Sequence, residues 1–396
     1  MSICSRSTIP IRRCNAGKLS CARKPPRVLL PLLRAVLAWL SWGSDVRALI
    51  SWAILLICGL AAAAPAEAQQ TKLRVTLQLP ITDALLGRSL ARFKEDVEKR
   101  SDGTVTIEIF DKGKLYIDDQ TVGAVESGAI EMGVAGLNQF ARRIPAIDIM
   151  EQPFLFNFED LVRATARPDS PIRALIDRTI LDTVGVRVLW WQSVGNQIFI
   201  SKGVAPSEPG QIEGHKIRVF SPTHERFVKQ CGGIPVMVSA NKTPDAFRAG
   251  DIGMATGASS LIANRQLWTV ADTITRTMHA PIEFFLIVNE KVWQSLPEPH
   301  KAVILEAAGR EESQARENVT RIEGGLYTEF QQKGMTVHDL TPDQVADWRA
   351  CSAGIVESYL ADNTDLARQL MTAYGRLRTD PCCTAGPAGP GSFNRR

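Results

Sequence analysis

Net charge is nearly absent from this chain. Its 46 Lys and Arg stand against 42 Asp and Glu, and much of the +4 excess falls in the first 47 residues, where Asp45 is the sole acid. No basic stripe interleaved with aromatic residues occurs, which excludes nucleic acid as a partner. Cysteine is sparse beyond the N-terminal segment. Cys231, Cys351, Cys382 and Cys383 in a body this large do not make a disulfide scaffold. Catalytic signatures are missing too. The five histidines, His215, His224, His279, His300 and His338, have no zinc-ligand spacing. There is no Gly-x-Ser-x-Gly elbow, and Gly253 to Gly257 lacks the lysine that completes a phosphate loop. His279 has no partner carboxylate beside it and reads as structural. These gaps argue against an enzyme, a resident metal and a cofactor.

What is present is globular: 45 % hydrophobic and 22 % charged residues over 396, enough for two lobes and an export segment. Arg47 precedes an apolar run, Ala48 to Ala64, and then Pro65-Ala66-Glu67-Ala68-Gln69. A positive residue, an apolar stretch and a small-x-small site are what a signal peptidase reads, so cleavage is expected after Ala68 and the mature chain is expected in the periplasm. The run is nearly long enough to span a bilayer, but the terminal alanines and Pro65 favour cleavage over a retained anchor. Ile57 before Cys58 argues against a lipoprotein. Residues 1–45 are Arg-rich, lengthen the leader beyond the usual, and are set aside from the fold. The Pro/Gly-rich tail, 379–396, is expected to be disordered.

Between leader and tail, strand and helix patterns alternate. Leu73, Val75, Leu77 and Leu79 alternate with polar residues, then Leu86, Leu90, Phe93 and Val97 recur at helical spacing. Val105, Ile107 and Ile109 form a second alternating set. Helices are expected over 118–127, 171–183 and 222–230, and strands over 131–135, 186–191, 216–219 and 284–288. A polar helical stretch from about 299 to 332 is too long for one lobe and should brace both. A strand near 335–337 and helices over 342–360 and 365–377 finish the body. Such alternation implies an α/β fold with largely parallel sheets.

Six segments carry a resemblance. They are Phe93 to Gly103, Val105 to Phe110, Val125 to Gly133, Pro153-Phe154-Leu155-Phe156, Gly214-His215-Lys216-Ile217-Arg218-Val219, and the run Val288 to Pro297. In this order and spacing the body resembles the solute receptors of tripartite ATP-independent periplasmic (TRAP) transporters, the dicarboxylate-receptor-like family. The resemblance implies a two-lobed flytrap that closes on a small carboxylate solute. It implies integral membrane subunits of a TRAP permease as partners. By family layout, lobe one would hold 71–194 with 283–322, and lobe two 195–282 with 323–376. A periplasmic sensor docking on a signalling receptor is the alternative. A binding protein of an ATP-driven importer, or an enzyme on a similar scaffold, ranks behind both.

The resemblance places Arg218 on the ligand carboxylate, where a planar guanidinium offers paired N–H donors and stays charged when desolvated. The sequence also departs from the family. Gln197 stands where a second arginine is usual, Ala240 where an aromatic often follows, and Gly253 to Ala258 replaces an amide-bearing run. The pocket should therefore be roomier and less positive. Trp191, Asn196, Gln197, Asn138 and Thr256 lie where the family lines its cleft and complete the candidate set. Strand neighbours face opposite sides, so one of Trp190 and Trp191 should be core.

Overall fold

The computed structural model describes residues 70–156, 158–362, 364–380 and 383. The expected leader and signal peptide, 1–68, lie outside these, as does the tail apart from Thr379, Asp380 and Cys383. The chain from Gln69 onward is one compact unit.

Two sheets organise it. The first contains β1 (Thr71–Thr76), β2 (Val105–Phe110), β3 (Met132–Gly136), β4 (Val186–Asn196) and β10 (Pro281–Asn289), in the order β2-β1-β3-β10-β4. The second contains β5 (Ile198–Ser201), β6 (Lys216–Val219), β7 (Ile234–Met237), β8 (Met254–Gly257), β9 (Thr273–Arg276) and β11 (Thr336–Asp339), in the order β11-β9-β5-β8-β6-β7. The sheets are mixed rather than largely parallel. β1 pairs in parallel with β2 and β3, whereas β10 runs antiparallel to β3 and β4. β5 likewise runs antiparallel to β8 and β9. The antiparallel strands flank the places where the chain passes from one sheet to the other, at 196–198 and 276–281.

Helices cover the sheets where the sequence predicts them, α1 (Leu86–Arg100), α2 (Asp118–Glu126), α3 (Pro171–Val184) and α4 (Pro222–Gln230), and a short helix that it did not predict, α5 (Ser259–Arg265), follows β8. α1 buries Leu86, Leu90, Phe93 and Val97 on one stripe. The long helix α6 (Glu298–Gln332) has 35 residues, about 52 Å at 1.5 Å per residue. Its Ile304, Ala307 and Val319 pack with Leu73 and Phe93 of the first sheet's core. Its Leu326 and Phe330 pack with Ile198 and Ile274 of the second, and Ile322 touches both. The helix braces both lobes, as its length suggests.

The C-terminal region departs from expectation twice. Residues 342–360 form two helices, α7 (Pro342–Cys351) and α8 (Ile355–Asp362), because Gly354 takes φ +83° and stops the first. In addition, α9 (Asp365–Arg378) packs Leu370 and Tyr374 against Phe156, Ile172 and Ile176, on the first sheet's core. The second-lobe span 323–376 therefore holds a helix that belongs with the first sheet. Cys231 at the end of α4 and Cys351 at the end of α7 form a disulfide across 120 residues. That separation carries no local signal, and the sequence reading named no pair.

Candidate functional site

In α/β sheets the crevice outside the carboxyl ends of the strands is where ligands settle. Residues just beyond the ends of β1, β3, β6 and β8 line one cavity of about 80 Å³: Gln78, Asn138, Phe220 and Ala258. Asp118 of α2, Arg218 of β6, and Asn264 and Arg265 of α5 complete its polar wall. Val194 of β4 and Ile282 and Phe284 of β10 supply apolar surface.

Arg218 is buried, with 5 % of its surface exposed. Its Nε donates to the Val238 carbonyl at 2.9 Å and its Nη1 to the Thr256 carbonyl at 2.6 Å. Its guanidinium carbon lies 4.6 Å from the centre of the Phe220 ring. Two backbone carbonyls and one aromatic face thus fix the fork, and Nη2 makes no hydrogen bond among the described residues. Burial pulls the guanidinium down to about 10, against the opposing pull of Asp118, so it remains a cation at neutral pH. A fixed, desolvated cation without a paired acid has the chemistry to hold an anion.

The cation that Gln197 does not provide comes from elsewhere. Arg265, at the end of α5, reaches the same cavity and donates to Asn241 Oδ1. Its Nε is buried without a hydrogen-bond partner. Asp118 faces both arginines. The residue is partly exposed, yet its Oδ1 is wholly buried and unpartnered. Burial pushes this carboxyl up to about 6, with Asp119 adding to the rise and Arg218, Arg265 and the neighbouring Gln78 amide opposing it. The cavity is therefore not stripped of positive charge: it holds two guanidiniums and one carboxylate.

Of the six residues singled out in the sequence, Arg218 and Asn138 line this cavity. Thr256 lies behind it, fully buried, its hydroxyl donating to the Arg218 carbonyl at 3.1 Å and its own carbonyl holding Arg218. Gln197 is turned away into the core, its Nε2 against the imidazole of His224. Burial holds that imidazole well below its ordinary value and so neutral. Trp191 is core: 1 % exposed, its ring 4.7 Å from that of Phe285 and its Nε1 donating to Asp177 at 2.8 Å. Trp190 is core as well, packed edge-on against Phe93. His279 stacks on Phe227 and bonds Thr277, pushed down to about 3 by burial, as a structural histidine should be.

The misplacement of Gln197 and Asn196 has a local cause. Gly195 takes φ +100°, and a Cβ there would overlap the Glu323 carboxylate. The pairing of β4 with β10 shifts register across that residue, and Gln197 follows with its side chain in the core. Asn196 and Trp191 instead line a second, smaller cavity of about 40 Å³, with Glu283, Arg316 and Glu323.

Glu283 in that second cavity is buried with neither carboxylate oxygen partnered. Burial pushes it up to about 8, opposed by Ser193, Arg316 and Arg173 and assisted by Glu312. The folded protein therefore holds a proton that the unfolded chain releases above the ordinary Glu value. Between about pH 5 and 8 this group costs stability as pH rises, by at most roughly 1.4 kcal/mol per pH unit. Glu283→Gln should flatten the decline: at pH 8 the variant should melt above the parent, and at pH 5 beside it. Thermal unfolding across that range decides the matter, and parallel curves for the two proteins would show that Glu283 does not titrate in this window.

Three comparisons bear on the chain as a whole. A family model described as bacterial extracellular solute-binding protein, family 7 (DctP) matches residues 82–363. A solute-binding protein of Sulfitobacter sp. strain NAS-14.1 is 26 % identical over 249 residues, covering 62 % of this chain and 74 % of that one. Among solved structures, an extracytoplasmic solute receptor of Bordetella pertussis that binds pyroglutamic acid aligns with TM-score 0.71 at 20 % identity, covering 77 % of this chain and 99 % of that one. A TRAP periplasmic solute-binding protein from the Sulfitobacter strain, with bound β-D-galacturonate, aligns with TM-score 0.72 at 17 % identity, covering 77 % and 100 %.

Proposed function

Because the chain belongs to family 7 of the bacterial extracellular solute-binding proteins, we propose that it captures a small carboxylate-bearing solute outside the inner membrane and delivers it to a TRAP-type permease. The observation that carries the choice of ligand is Arg218: a buried cation, braced on two carbonyls, facing a cavity with no paired acid. Both structural neighbours described above hold a small acid, which supports the same class here. Each lobe is built on one sheet, with the hinge at 196–198 and 276–281 and α9 joining lobe one. The family is a class of solute-binding proteins, and on that ground the solute is taken to be bound and released unconverted. The sensor alternative gains nothing from these relatives, which are solute receptors.

Thermal shift on the chain from Gln69 onward tests this. A carboxylate at about a hundred times its Kd adds ~2.7 kcal/mol to stability and raises the midpoint, and the solute should be recovered unchanged by NMR. A panel of small organic acids that leaves the midpoint in place would defeat the proposal, as would steady turnover of one that binds.

A further inference from the structure

We propose that Asp118 selects the solute: a small monoacid whose carboxylate meets Arg218 and whose second polar group is a hydrogen-bond donor, a hydroxyl, ammonium or lactam N–H, rather than a second carboxylate. This rests on the receptor reading above and narrows it.

Three observations support it. Asp118 opens α2 and lines the cavity with Oδ1 buried and unpartnered, and an ionised carboxylate can only accept. Arg218 and Arg265 feel its charge, yet no ion pair joins it to either among the described residues. The cavity therefore holds donors and an acceptor kept apart, with room between them. Finally, Arg265 is already offset by Asp118 on the wall and by Asp83 behind it, which leaves Arg218 as the cation for a single carboxylate. A dianion would bring its second carboxylate into a wall that already carries one, and like charges in a desolvated site repel. The neutral amides do not alter this balance. Asn138 donates to the Phe220 carbonyl at 3.3 Å, and Asn264 donates to Asp83 at 2.7 Å and to the Ser260 carbonyl at 2.9 Å.

Calorimetry on matched acids tests the assignment: pyroglutamate against cyclopentanecarboxylate, lactate against propionate, and succinate as the dianion. The parent should bind the donor-bearing member of each pair at least tenfold more tightly. Asp118→Asn keeps the shape but can donate as well as accept, so it should compress that preference and tighten succinate at least tenfold. Asp118→Ala should lose the donor-bearing acids alone. Melting curves show whether each variant is folded, and the isosteric Asn variant guards against collapse of the Ala one. If the parent binds both members of each pair within threefold, or Asp118→Asn leaves the ratio unchanged while Arg218→Ala still abolishes binding, Asp118 is not the selector and the receptor reading survives. If no acid binds the parent, both are overturned.

Discussion

Arg218→Ala should weaken a bound carboxylate by roughly 30- to 3000-fold, the equivalent of losing one partner of a desolvated charge pair at about 2–5 kcal/mol. The reason lies in the packing around it. Its fork is already oriented by the Val238 and Thr256 carbonyls and by the Phe220 ring, so little is lost in fixing the side chain when the ligand arrives. Alanine removes the cation and leaves the ligand carboxylate buried without a matching donor. Arg218→Lys should recover only part of the loss, because an ammonium can hold one carbonyl and meet a carboxylate but cannot present the planar fork. The Ala variant also frees two backbone carbonyls, so its melting curve must be recorded beside its affinity. A folded Arg218→Ala protein that binds its acid within threefold of the parent would take Arg218 out of the site.

The second large effect concerns stability. Opening the Cys231–Cys351 bridge, by reduction or by the double replacement with serine, should lower the unfolding free energy by roughly 2–5 kcal/mol. The bridge closes a loop of 120 residues, and in the chain-entropy account long loops gain most, about 4.7 kcal/mol near a hundred residues. It ties the end of α4 to the end of α7, both packed over the cluster of Phe199, Phe227 and Trp348. Urea unfolding with and without reductant should show the midpoint moving to lower denaturant. Coincident midpoints would mean that the packing of Trp348 and Ile355 alone holds these helices, and that the bridge adds nothing.

Much of the fold is legible in the chain because long periodic segments announce themselves. α1, α3 and α6 repeat their apolar stripes over several turns, and β1 and β2 alternate cleanly. Segments that escape such reading are short and buried on both faces. Ile198–Ser201 and Met254–Gly257 are four-residue strands with every residue buried, and four buried residues in a row carry no period. The site divides along similar lines. Arg218 was singled out because a recognisable box surrounds it, and it lines the larger of the two cavities described. Asp118 and Arg265 lie a hundred residues or more from it along the chain on one side, and past a family departure on the other. Only the crossing of two sheets brings them together. Gln197 was chosen because it stands where the family has an arginine, and a place in a motif does not fix which way a side chain turns: here it turns into the core against His224.

α6 also sets how the two lobes can swing. Gly324 and Gly325 follow closely on Ile322, where the helix leaves the first core for the second. A Cβ at either position would meet nothing within 4 Å, so crowding does not call for glycine there. Each glycine costs the helix about 1 kcal/mol relative to alanine, and glycine pairs are among the places where helices bend. In engineering terms, α6 is a beam clamped at both ends with a flexure at the crossing. In the receptor proposed above, rotation of one lobe against the other would load that soft pair before the hydrogen-bonded strands β4 and β10, giving compliance at the crossing while the sheets stay rigid.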